Sequence, residues 1–185
     1  NAMMIERIRR EHGYMVRLLA VLRHKLTMLK SERQVNYGVL RELVDYLANH
    51  SEKVHHPKED ILYRYYLEHY GHHHEIDNLE LEHQTLSEKT HGFLNVVDMV
   101  LQDAVVPQDM FIEQLEQFLE AQKRHLETEE QRVFPYLIEK FTVKDWQAVE
   151  EQWSVCEDDP VFGETIAEQY AQLAERIHQT EHECI

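Results

Sequence analysis

Apolar residues recur at helical spacing through four long stretches of this chain, and strand-like alternation appears nowhere. The first stretch spans about residues 4–29, with Ile8, Met15, Leu18, Leu22, Leu26 and Leu29 on one stripe. The second spans about 37–70, carries Pro57 as a tolerated kink, and stops at Gly71. The third spans about 76–101 and ends ahead of Pro107; the fourth spans about 108–141 and bends at Pro135. With only 5 Gly and 4 Pro, little of the chain is available for turns. Long helices on short loops pack antiparallel to bury their stripes. The expected fold is therefore all-α, an antiparallel up-down four-helix bundle over residues 3–141. Residues 142–185 read as a short C-terminal helical extension. There Thr142 and Asp145 have capping-box spacing, Asp159 and Pro160 restart a helix, and Trp146, Trp153 and Phe162 are the expected anchors on the bundle.

The histidines have a matching order. His12 and His55 lie at similar distances on either side of the loop near Arg33, and His83 and His125 likewise flank the loop near Val105. An antiparallel pair sets each couple at one level. The separations repeat, 43 residues in the first couple and 42 in the second. The flanks repeat as well: "EHGYM" (11–15) answers "EHQTL" (82–86). His55 and His125 are each followed by a glutamate four residues on (Glu59, Glu129) and an acid one further (Asp60, Glu130). Each is later followed by a Tyr-Leu pair, Tyr66-Leu67 and Tyr136-Leu137. The chain reads as two helix hairpins of one design set face to face.

Residues four apart project from one helix face, so His55 with Glu59 and His125 with Glu129 each turn an imidazole and a carboxylate inward. His12 and His83 complete a pocket of four nitrogens and two carboxylates. Such mixed donors suit iron, manganese or zinc rather than calcium or magnesium. The bland alternative is a buried polar network, whose members would all need partners in the core. His56 competes with His55, but only His55 stands four residues before Glu59. A ferritin-like site would use Glu52 with His55 and Glu80 with His83, yet the first and fourth helices then lack its lone glutamates. His24, His50, His69 and His91 fall off the shared level, and His72, His73 and His74 read as a solvated loop. Tyr14, Tyr63, Tyr66 and Phe134 read as packing around the pocket, with a hydrogen bond from a tyrosine to a bound ligand as the alternative.

A formal charge of −16 argues against nucleic acid and anionic membrane as partners. No apolar run approaches the roughly 20 residues of a membrane span. Two cysteines are too few for a disulfide scaffold and the N-terminal stretch is charged, so a cytoplasmic location is expected. No Ser-His-Asp or Cys-His arrangement and no phosphate-binding glycine loop is present. The oligomeric state is not set by these features.

"EHGYM", "HHPKED", "EHQTL" and "RHLETEEQRVFPYL" resemble the hemerythrin-like, or HHE cation-binding, proteins over roughly residues 5–141. The resemblance implies an up-down four-helix bundle around two non-haem iron ions, bridged by two carboxylates and an oxo or hydroxo group. It implies His12, His55, Glu59, His83, His125 and Glu129 as the ligands, with manganese or zinc as other possible occupants. It also implies a small-molecule ligand such as oxygen or nitric oxide, or the sensing of iron itself. The alternative is a di-iron stress-response enzyme that repairs iron–sulfur clusters or reduces peroxide or nitric oxide. The repair proteins carry a cysteine-bearing segment ahead of the bundle, so the expectation leans away from that branch. Oxygen-carrying members have another histidine four residues after the third-helix one. Ser87 stands there in this chain, so an open position on one ion is expected, favouring ligand exchange over stable oxygen carriage.

Overall fold

The computed structural model describes residues 3–50, 53, 55–153, 175, 176, 178 and 179, and among them all regular structure is helical. The elements are α1 (Met3–Lys30), α2 (Tyr37–His50), α3 (His56–Tyr70), α4 (Leu79–Leu101), α5 (Gln108–Thr128), a π-helical turn (Glu129–Val133), α6 (Phe134–Lys140) and α7 (Val143–Gln152).

The two proline-bearing stretches depart from the simple kinks expected of them. Each takes π-helical geometry just before its proline, at residues 53 and 55 ahead of Pro57 and over Glu129–Val133 ahead of Pro135. Proline has no N–H for the carbonyl four residues back, and its ring crowds that turn. The turn widens instead, and the Phe134 N–H bonds the carbonyl of Glu129.

α1 and α4 end alike. The Arg33 N–H bonds the Met28 carbonyl at 2.9 Å and the Ala104 N–H bonds the Met99 carbonyl at 3.0 Å. Just before each, Glu32 and Asp103 turn left-handed with φ of 58° and 59°. These are left-handed helix caps, spaced as His12 and His83 are. The hairpin repeat seen in the sequence therefore extends to backbone hydrogen bonds.

α1 packs on α2 and α5, α4 on α2, α3 and α5, and α3 on α7. The apolar side chains form two clusters. One joins Leu18, Leu22, Leu40, Leu43, Val97, Leu115 and Phe118; the other joins Met4, Ile8, Leu62, Val133, Phe134, Leu137 and Trp146. Between them, along α1, α3, α4 and α5, lies a layer of buried Glu11, His12, His55, Lys58, Glu59, His83, His125 and Glu129. Each fully buried leucine contributes about 1.5–3 kcal/mol. Two such clusters hold rigid a polar layer whose own burial is costly.

After Phe141 the capping box forms as expected. The Thr142 N–H bonds Asp145 Oδ2 at 2.8 Å and the Asp145 N–H bonds Thr142 Oγ1 at 3.2 Å. Asp145 also accepts from the hydroxyls of Tyr65 (2.6 Å) and Tyr70. Trp146 is buried edge-on against Phe141, and the Trp153 ring lies 5.6 Å from Lys58 Nζ. Asp159, Pro160 and Phe162 lie outside the described residues. No described helix is long and apolar enough to cross a membrane.

Candidate metal centre

Glu59 and Glu129 meet in the middle of the polar layer, both fully buried. His12 Nε2 lies 2.8 Å from Glu59 Oε2 and 3.4 Å from Glu129 Oε1. His55 Nε2 lies 3.1 Å from Glu59 Oε2, and His125 Nε2 lies 2.9 Å from Glu129 Oε1. His83 Nε2 lies 3.1 Å from Glu59 Oε1 and 3.4 Å from Glu129 Oε2. The six residues singled out from the sequence therefore sit together, one imidazole from each of four chain segments.

The other ring nitrogens face outward onto acids. His55 Nδ1 is 3.0 Å from Glu11, His125 Nδ1 is 3.0 Å from Glu82, and His83 Nδ1 is 2.8 Å from Asp60. His12 Nδ1 faces Glu130 at 3.6 Å, too far for a hydrogen bond. An Nδ1–H given to a carboxylate leaves the Nε2 lone pair aimed at the centre, the tautomer a metal ligand needs. All four acids belong to the repeated flanks. Spacing alone does not assign them, because each serves a histidine on another helix.

The electrostatics have the same pattern. Burial opposes a charged His12, but Glu59, Glu129 and Glu130 outweigh it and hold the ring well above the usual imidazole range. Against the same burial, Asp60, Glu129 and Glu59 push His83 up to about 12. Glu129 and Glu82 push His125 up to about 9. Burial and the Glu129 charge raise Glu59, yet His55 and His12 hold it well below the usual carboxylate range. Burial likewise raises Glu129, and His125, His12 and His83 more than reverse it. Protons on imidazoles thus supply the positive charge this layer demands. A metal ion supplies the same charge and needs the rings deprotonated.

The donor set fits metal. His55 Nε2, His125 Nε2, Glu59 Oε1 and Glu129 Oε1 are buried without a hydrogen-bond partner, despite short distances across the site. Buried groups left so are costly, and ligation satisfies them. Two overlapping groups, His12-His55-Glu59 and His56-Glu59-His83-His125, each bring their donor atoms within 4.8 Å of one another. Bonds of about 2.1 Å set opposite ligands roughly 4.2 Å apart, so little closure is required.

A family comparison agrees. The model of the hemerythrin HHE cation binding domain matches residues 3–137. The chain belongs to the hemerythrin HHE family. Comparison with curated proteins gives no match, and comparison with solved structures gives none either.

Within this HHE domain, sequence spacing missed several participants. Lys58 is fully buried, and its Nζ donates to Glu11 at 2.9 and 3.1 Å. Burial would raise the Glu11 carboxyl, but His55 and Lys58 bring it down to about 2. Tyr63, expected first to pack, donates a hydrogen bond from its hydroxyl to Glu129. His56, offered by spacing only as a substitute for His55, enters the site alongside it. The ferritin-like pairing is not built, because Glu80 turns away to Arg64; Glu52 lies outside the described residues. Of the off-level histidines, His24 is exposed and His69 bonds the Tyr65 carbonyl. The side chain of His50 is not among those described. His72 and His74 are exposed, and no described metal-binding group includes the His72–His74 run. Tyr66 and Tyr136, the repeated tyrosines, hydrogen-bond each other at 2.7 Å.

Proposed function

We propose that the protein holds a pair of metal ions, iron foremost, and binds or senses a small ligand such as oxygen or nitric oxide there. The observation that carries this is the convergence of four Nε2 atoms on two wholly buried carboxylates. In this reading Glu59 and Glu129 would serve both ions, His12 and His55 would hold one, and His83 and His125 would hold the other. The helix packing supports an antiparallel up-down four-helix bundle as the scaffold, with residues 142–153 docked on it through Asp145 and Trp146.

An iron pair bound there supplies redox chemistry toward oxygen or nitric oxide. The chain's own groups prepare the site for it. Glu11, Asp60 and Glu82 fix the tautomer and tilt of three imidazoles. Lys58 holds Glu11 ionised beneath His55. Tyr63 holds a proton within reach of Glu129. The apolar clusters above and below keep bulk water from the layer.

Ferrous loading under argon, then metal analysis and visible spectra before and after air, tests this. About two ions per chain are expected for a bridged pair, with His125→Ala and Glu129→Ala losing metal and thermal stability. Absence of bound metal after loading, or full occupancy in both variants, refutes it.

A further inference from the structure

His56 has no part in the six-residue centre, yet it is placed like a member. The residue is 9% exposed and its ring lies flat on His83, with centroids 4.0 Å apart and 3° between the planes, a stack that has to open for both in-plane lone pairs to meet one ion. The His125 ring is 5.9 Å away. No hydrogen bond or ion pair joins its ring nitrogens to a described residue. One of those nitrogens lies within 4.8 Å of donor atoms from Glu59, His83 and His125.

We propose that His56 is a fifth imidazole of the centre, bound to the ion of His83 and His125; this rests on the metal-pair reading above. Consecutive helical residues point about 100° apart and do not face one target. With two ions they need not. Glu59 lies four residues after His55 and three after His56, so both rings neighbour it on the helix surface. Glu59 Oε2 faces His12 and His55, while Oε1 faces His83. A bridging carboxylate thereby receives one of the adjacent histidines on each side. The π-helical geometry at 53 and 55 re-aims the pair at this point.

The hairpin repeat sharpens the case. The register that pairs His55 with His125 pairs His56 with Leu126. Leu126 belongs to an apolar cluster and lines a groove with Val16 and Leu19 of α1. His56 lines the counterpart between α3 and α4, a cleft of about 440 Å³ shared with His83 and Ser87. The two hairpins agree in their acids, and at this position one buries an imidazole and the other a leucine. An imidazole thus stands where leucine packs in the other hairpin, lining the cleft with its nitrogens bonded to no described residue. The position that Ser87 does not serve is then filled from α3. The open position expected beside Ser87 moves to the other ion, which has only His12 and His55.

Anaerobic ferrous titration of the full chain against a chromogenic chelator reads the two affinities. His56→Leu copies the Leu126 side. It is expected to stay folded, keep one ion at unchanged affinity and lose at least about tenfold for the other. Imidazole scattering per metal in X-ray absorption should fall with it. Ser87→Ala, in the same cleft, should change neither. Unchanged affinities and scattering in His56→Leu overturn the proposal, and so does an equal loss in Ser87→Ala. If His56→Leu fails to fold, His56→Gln is read by the same two measurements and the same criteria. Failure of the unmodified chain to take up two ions would defeat the metal-pair reading and this inference with it, whereas a null result confined to His56→Leu defeats this inference alone.

Discussion

Without metal, the protein should lose stability as pH rises from neutral, and with metal it should gain affinity over the same range. The reasoning starts at His125. Its ordinary value is 6.5 and its folded value is about 9, because Glu129 and Glu82 outweigh burial. A group raised on folding stabilises fully below its unfolded pKa, and the stabilisation fades as pH climbs through the folded one. The window is therefore about pH 6.5 to 9 for His125, and its contribution across it is about 3 kcal/mol. His12 and His83 are also raised and act in the same direction. A metal ion requires neutral rings, so uptake releases protons and strengthens with pH. Urea unfolding of chelator-stripped protein from pH 6.5 to 9.5 gives the first slope, and His125→Gln should flatten it. Calorimetry in buffers of different ionisation heat counts the protons released on ferrous binding. A metal-free stability that is flat or rising in this window, or metal uptake without proton release, refutes the reasoning.

Two further perturbations separate scaffold from site. Glu11→Gln leaves Lys58 buried without its carboxylate and should cost about 3–5 kcal/mol in urea unfolding, whereas Glu11→Gln with Lys58→Met should recover much of that loss. Trp146→Ala removes a buried ring packed on Phe141 and should cost about 3–5 kcal/mol, with metal stoichiometry unchanged by metal analysis because no candidate ligand among the described residues lies beyond Glu129.

The helical class and the level of the histidines were legible because both follow from period and length. Apolar stripes identify the buried face, and equal distances from a loop set two residues opposite each other. The His55/Glu59 and His125/Glu129 pairs needed only the four-residue rule. What lay beyond this were contacts between helices. Glu11 and Glu82 stand beside His12 and His83 in sequence but hold His55 and His125 in space. Lys58 reads as a surface cation and is fully buried because Glu11 and the Trp153 ring both meet it. His56 was set behind His55 because only His55 stands four residues before Glu59, the spacing that serves one ion on one helix face. A carboxylate shared between two ions removes that restriction.

The π-helical turn shows how a local defect was legible yet easy to misread. Along α5 the buried positions run Leu115, Phe118, Leu119, Gln122, His125, Leu126 and Glu129, in regular helical steps. Continued unchanged, the stripe would bring Arg132 and Tyr136 inward. Instead Phe134 is buried together with Val133 and Leu137, while Arg132 is exposed. One extra residue in the turn rotates the following helix by about 100° and absorbs the shift. Pro135 explains why the extra residue sits here, since the turn before it already lacks a hydrogen bond. The stripe and the proline therefore agree on a widened turn at Glu129, the residue that must face both His12 and His125. Placing the irregularity at the carboxylate lets α5 deliver Glu129 into the polar layer while α6 returns its apolar face to the second cluster.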